Sequence, residues 1–459
     1  MSAHCWYEGC VNERDESLHP AARHGGGLAV DEVVGICRDL LRIDTTNTGQ
    51  TSTSAGERIA ATYVADLLSG AGLRPEVFES EPGRTSVVTR LAGRDPSRPA
   101  LLLHGHLDVV PAEAGEWRFD PFGGEIAEGY LWGRGAVDMK HFDAMLLALV
   151  RQWHRDGWRP PRDIVVAFLA DEEAGGRLGA HFLVDQHPEV FAGCAEAVGE
   201  VGGFSYAVGN DQRLYLIETA QKGLDWLRLH AHGRPGHGSM VNDQNAVTAL
   251  AEAVARLGRH RFPVVATPTV QDFLHRAGHA LGIEIDLADP DAALAALGPL
   301  AMLIGATIRN TATPTRLAAG YKDNVIPSSA VATIDCRTLP GQTDLFVEQL
   351  RAIVGPEIDI EFIDRQPPLE TSFDGPLVEA MCGALRAEDP GAVAVPYLLS
   401  AGTDAKAFSR LGMRCFGFTP LRLAADLNFG ALFHGIDERV PLEGLQFGVR
   451  VLDRFVHHC

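Results

Sequence analysis

The chain has 459 residues, 46% of them hydrophobic, and a formal net charge of −20. That much apolar content can build the cores of two or three domains and excludes a disordered chain. The acidic balance argues against nucleic acid and anionic membrane surfaces as partners.

Residues 1–28 are polar and Gly-rich and read as a flexible tail without a signal-peptide pattern. Cys5 and Cys10 stand close in "CWYEGC", but no convincing further ligands accompany them. The eight cysteines include no CxxC pair, which suits reduced thiols in a cytoplasmic protein. No apolar stretch approaches the ~20 residues of a spanning helix.

From Val30, "VDEVVGICRDLLRI" carries apolar residues at helical spacing, and "AGERIAATYVADLLSGAGL" repeats the pattern. "TSVVTRLAG", "ALLLHGHLDVV" and "DIVVAFLADEE" are β-branched or Leu-rich runs that read as strands. The helix "MKHFDAMLLALVRQWHRDG" lies between the last two. Strand, helix, strand predicts an α/β layer with a mostly parallel central sheet. In such sheets, functional residues collect at the carboxyl ends of strands. His106 and Asp108 end one run; Asp171, Glu172 and Glu173 end another.

The texture changes near Tyr215. "DWLRLHAHGRPGHGS" and "AVATIDCRTLPG" alternate as half-exposed strands do, with the helical "AVTALAEAVARLG" between them. This predicts a smaller α+β domain inserted at residues 218–338, a lid or dimerisation domain. The catalytic domain then comprises 29–217 and 339–459, with "MRCFGFTP" as another buried strand. "HRAGH" sets His275 and His279 at the spacing of a helical metal pair, but the glutamate after the first histidine is missing, so it reads as a solvated face.

Singly, a buried histidine or a "DEE" turn is ordinary. The order "HGHLD", "GRGAVDMK", "DEEAGG", "GEVGGF", "FHGIDE" is not. It resembles the dinuclear zinc hydrolases that include acetylornithine deacetylase, succinyl-diaminopimelate desuccinylase, aminoacylase and the glutamate-releasing carboxypeptidase. The resemblance runs from about residue 30 to the C-terminus. It implies an aminopeptidase-like catalytic domain that cleaves the amide bond of a small peptide or N-acyl amino acid with a water activated by two metals. An N-acyl-amino-acid deacylase is the alternative within that chemistry. A non-catalytic relative is a more distant one, because no metal ligand or base is missing. A redox metalloenzyme is disfavoured because no thiolate or dinucleotide loop accompanies the cluster.

Carried over residue by residue, the resemblance makes His106, Asp138 and Glu200 the ligands of one metal. Asp138, Glu173 and His434 then hold the second, with Asp138 shared. Glu172 becomes the general base, and Asp108 orients His106 by taking its other ring N–H. Imidazole and carboxylate suit two Zn²⁺ per chain, and Co²⁺ or Mn²⁺ would also fit. His237 in "GRPGHGS" is implied to reach the partner's site in a homodimer and steady the oxyanion. Asn324, Arg337, Gly402 and Thr403 are expected to grip substrate. His104 falls at a variable position and reads as a satisfied buried polar residue. His141 and Val201 replace residues that are frequently glycine in the family; neither removes a ligand.

Overall fold

The computed structural model describes residues 28–208 and 212–459. The tail with Cys5 and Cys10 lies outside the described residues.

Ten strands form the main sheet. Its path runs Glu76–Glu81, Arg84–Leu91, Ile164–Leu169, Ala100–His106, Cys194–Gly199, Arg414–Gly417, Arg213–Gln221 and Leu369–Glu370. Ala392–Leu399 and Ser205–Ala207 also pair with Arg213–Gln221. The architecture is the expected α/β one, but the sheet is mixed. Ala100–His106 lies parallel to both its neighbours, and Arg414–Gly417 is parallel to Cys194–Gly199. The pairings at the Glu76 end are antiparallel. The parallel centre explains the apolar runs, because these strands are buried on both faces. All seven residues of Ala100–His106 are buried.

The helix Lys140–Arg155 is buried nearly all round. It packs against Ala29–Leu41, Arg58–Gly70 and Leu442–His458, so an apolar stripe on one side would not suffice. Its Lys140 ammonium donates to the carbonyls of Leu40 and Ile43 at 3.1 and 2.8 Å, where the first helix ends.

A second sheet of four antiparallel strands runs in the order Thr311–Ala319, Ser329–Thr338, Gly223–His232, Ile358–Gln366. Helices Ala246–Arg259 and Thr343–Val354 cover one face and close a separate core around Leu227, Leu250, Ile334, Phe346 and Leu350. The division at 218–338 therefore needs correction. The fourth strand and its helix lie beyond 338, and Arg213–Gln221 belongs to the main sheet. Part of the insertion also leaves the small sheet. Val270, Phe273, Leu274, Ala277, Ile304 and Ile308 are buried in the main core. The reason is packing: the apolar side of helix Pro268–Leu281 lies against strand Ala392–Leu399. His275 and His279 sit on its exposed side, as a solvated face requires.

Candidate metal centre

The parallel strands end together, and polar side chains collect there. His106 is the last residue of its strand, and Glu200 follows Gly199 directly. Glu172 and Glu173 begin a short 3-10 turn just past Leu169. Asp138 and His434 arrive on loops. The peptide between Asp138 and Met139 is cis.

Asp138 is the pivot. Its Oδ1 lies 3.0 Å from His106 Nε2, and its Oδ2 lies 3.3 Å from His434 Nε2. His106 Nε2 is also 3.5 Å from Glu200 Oε2, and His434 Nε2 is 3.1 Å from Glu173 Oε2. Two groups result: His106, Asp138, Glu200 and Asp138, Glu173, His434, each with ligand atoms within 4.8 Å of one another. These are the two sets expected from the resemblance. Glu173 Oε1 is buried with no partner among the described residues, an acceptor suited to a cation. Imidazole nitrogens and carboxylate oxygens are the donor set of zinc and similar divalent ions, so the residues fit a metal pair.

The electrostatics agree with a site built for cations. Burial, then the Asp138 charge, push the Glu173 carboxyl up to about 7. Burial and the Glu200 charge push Glu172 well above its usual range. Burial would raise Asp138 too, but its hydrogen bonds with His106 and His434 hold it low. Those bonds push His434 the other way, to about 10 through Asp138 and Glu173. Glu172 Oε2 stands 3.9 Å from His106 Nε2, beside the ligands.

Asp108 does more than the expectation assigned it. The short contact of His106 Nδ1 is to the backbone carbonyl of Asp108, at 3.0 Å, while the carboxylate Oδ1 is 3.5 Å away. The carboxylate also accepts from the N–H groups of Glu172 and Glu173, both at 3.1 Å, and from Asn47 Nδ2 at 2.8 Å. Asp108 thus positions the Glu172–Glu173 turn as well as the histidine. Behind it, Asn47 Oδ1 accepts from Arg84, which pairs with buried Glu57 at 2.6 Å.

Glu438 has an equivalent role for Asp138. Its carboxylate accepts the N–H of Val137 at 2.6 Å and of Asp138 at 3.0 Å, and it pairs with buried Arg134. It stands in the "FHGIDE" stretch, but nothing in its spacing signals that role. His104 corrects its expectation. Its ring is wedged against Phe408, with centroids 4.7 Å apart, and Nε2 has no partner among the described residues. Gly199 leaves it room, since a Cβ there would stand 2.2 Å from the ring. Burial pushes His104 down to about 3, so the ring stays neutral there. Val201, Asp171 and His434 all hold positive φ, at 53°, 67° and 56°. A left-handed backbone at 201 accounts for a glycine serving well there.

A cavity of about 480 Å³ opens beside Asp138, Glu173, Glu200 and His434. Arg337, Gly402 and Thr403 line it, as expected. The Arg337 guanidinium is already forked onto Asp335, at 2.7 and 3.1 Å. Asn324 does not line it. It is exposed just before strand Val325–Ile326, which pairs with Gly236–His237, and its carbonyl accepts the Gly238 N–H at 2.9 Å. His237 sits beside it, also exposed, with Nδ1 2.8 Å from Ser239 Oγ. Periodicity and motif did not reveal the cavity's apolar wall of Phe204, Phe433, Tyr397, Leu399 and Trp226.

A sheet that gathers such ligands at its carboxyl edge defines a metallohydrolase. Residues 102–458 match the model of peptidase family M20/M25/M40. The chain belongs to that family and is a hydrolase of the metallopeptidase type. It is 28% identical over 404 residues to probable carboxypeptidase S-like 2 of Dictyostelium discoideum, covering 81% of this chain and 73% of that one. It is 27% identical over 430 residues to aminoacylase-1 of Homo sapiens, covering 91% and 94%. Among solved structures, the M20 family metallo-carboxypeptidase Sso-CP2 from Sulfolobus solfataricus superposes with a TM-score of 0.70 at 17% identity, over 93% of this chain and 99% of that one. A dinuclear metal-binding M20 peptidase of Bacillus subtilis gives a TM-score of 0.61 at 14% identity, over 94% and 98%. No helix among the described residues is long and apolar enough to cross a membrane.

Proposed function

We propose that the chain hydrolyses the amide bond of a small peptide or N-acyl amino acid with two Zn²⁺ per chain. The observation that supports this most is the split of Asp138, one carboxylate oxygen toward each imidazole. His106 and Glu200 complete one ligand set; Glu173 and His434 complete the other. Cobalt or manganese would serve the same donors. When bound, such a pair supplies Lewis acidity, a water deprotonated near neutral pH and charge stabilisation.

The protein's own groups do the rest. Glu172 is the general base: it takes a proton from the attacking water and hands it to the leaving amine. Asp108 holds the Glu172 backbone in place for this transfer. Arg337 keeps donors beyond its two bonds to Asp335 and offers them to a substrate carboxylate. Gly402 and Thr403 form the facing wall. Asn324 and His237, which do not line the cavity of their own chain, suit a partner subunit's site in a homodimer, with His237 donating to the oxyanion. Six free cysteines among the described residues fit a cytoplasmic setting.

The deacylase reading has its own support. The cavity wall is aromatic and aliphatic, which suits an acyl chain or apolar side chain, and the aminoacylase likeness spans nearly the whole chain. Zinc-reconstituted protein assayed on N-acetyl-L-leucine and L-alanyl-L-leucine separates the two readings. Glu172→Ala is expected to lower kcat by roughly 10²–10⁴-fold while leaving the metal content unchanged. Full turnover in that variant would remove Glu172 from the chemistry.

A further inference from the structure

The chain crosses between the two sheets at two places that run side by side. It leaves the main sheet at Lys222, between Arg213–Gln221 and Gly223–His232, and returns through Pro367 and Pro368, between Ile358–Gln366 and Leu369–Glu370. Gln221 pairs with Leu369 just before the crossing, and Leu224 pairs with Gln366 just after it. Lys406 lies beneath both, only 2% exposed. Its ammonium donates to the Lys222 carbonyl at 2.7 Å and to the Pro367 carbonyl at 2.9 Å. A buried ammonium is costly unless it is well bonded, and these two bonds go to two separate passages of chain.

The same lysine backs the cavity wall. A Cβ on Gly402 would stand 2.5 Å from Lys406 Cε, so the aliphatic stem fills the space behind the cavity wall. The neighbouring Thr403 is bonded twice to the first crossing: its Oγ1 accepts from Gln221 Nε2 at 2.7 Å, and its N–H donates to Gln221 Oε1 at 3.1 Å. Beyond the crossings, the small sheet contributes Leu224, Trp226, Arg337 and Gln366 to the cavity. Residues near 270–308 anchor the insertion elsewhere on the main core, so the crossings control its cavity end.

We propose that Lys406 is a positioning residue: it fastens both sheet crossings to the loop of Gly402 and Thr403 and thereby sets where Trp226, Arg337 and Gln366 stand over the metal centre. This rests on the reading of the cavity as the substrate site. Nothing in the ligand sets involves Lys406, and its action on substrate is through other residues.

The test uses the zinc-reconstituted full chain and Lys406→Met, which keeps the stem and removes the donor. In hydrogen–deuterium exchange, peptides spanning 219–227 and 364–371 are expected to exchange about tenfold faster. Peptides spanning 102–108 and 434–440, and the metal content, should stay as in the wild type. With N-acetyl-L-leucine or L-alanyl-L-leucine, whichever is hydrolysed, KM is expected to rise about tenfold with kcat within about twofold. Gly402→Ala, which pushes a methyl group into the lysine stem, should give the same exchange pattern. Wild-type exchange at either crossing in Lys406→Met overturns the proposal, as does faster exchange without a KM change. If Lys406→Met does not fold, unchanged crossings in Gly402→Ala overturn it. Exchange and metal content need no substrate. Faster crossings with no hydrolysis of either probe would therefore sink the substrate reading and leave the fastening intact.

Discussion

His434 is the most exposed member of the ligand sets and the one whose proton matters most. Its bonds to Asp138 and Glu173 push it up to about 10, above its ordinary 6.5. In the zinc-free chain the ring therefore holds its proton at neutral pH. Stability from this arrangement is complete below about 6.5 and fades as pH rises through about 10. Metal binding must expel that proton. Zinc titration calorimetry in buffers of different ionisation enthalpy is expected to show proton release at pH 7, and an apparent affinity that grows with pH. His434→Ala should lose part of that release; none in the wild type would refute the ring's assigned state. At this scale the sequence was most readable for His106, Asp138, Glu173, Glu200 and His434, because each sits in a short local motif. It was incomplete at His104 and Asp108. Whether a ring nitrogen finds a partner, and whether a carboxylate or a carbonyl is nearer, depends on ångström-scale geometry that spacing does not encode.

At the scale of elements, the loop bearing Asp138 depends on a residue 300 positions away. Glu438 accepts two successive N–H groups there and pairs with Arg134. Glu438→Ala leaves a buried guanidinium unpaired, which typically costs about 3–5 kcal/mol. It should also weaken metal affinity by roughly 10–100-fold, the usual effect of losing a ligand's support. Denaturant unfolding of the zinc-free chain and a competitive metal titration measure the two effects separately. A variant with wild-type stability and affinity would show the support to be dispensable. The helices and buried strands around the site were legible from periodicity, as with Ala100–His106 and Lys140–Arg155. The insertion's anatomy was not. Apolar spacing in Pro268–Leu281 marks a buried face but does not say which of two cores receives it. Strand Ile358–Gln366 lies beyond the expected insertion, and only its pairing with Gly223–His232 assigns it to the small sheet.

For the whole molecule, the pairing of Gly236–His237 with Val325–Ile326 holds His237, with Asn324 next to it, outside the lining of their own chain's cavity. If these residues serve a partner, two inactive variants should complement each other. Mixing His237→Ala with Glu172→Ala under subunit exchange should restore up to about a quarter of wild-type activity in a two-fold dimer. A mixture no more active than its components would confine His237 to its own chain. The sequence carried the motif around His237 but not its place outside the cavity lining, which is set by how the insertion folds. The account rests on the shared carboxylate of Asp138, and metal counting tests it most directly. Elemental analysis of dialysed, zinc-reconstituted protein should find two ions per wild-type chain, one in His434→Ala and none in Asp138→Ala. Equal content in all three would contradict it.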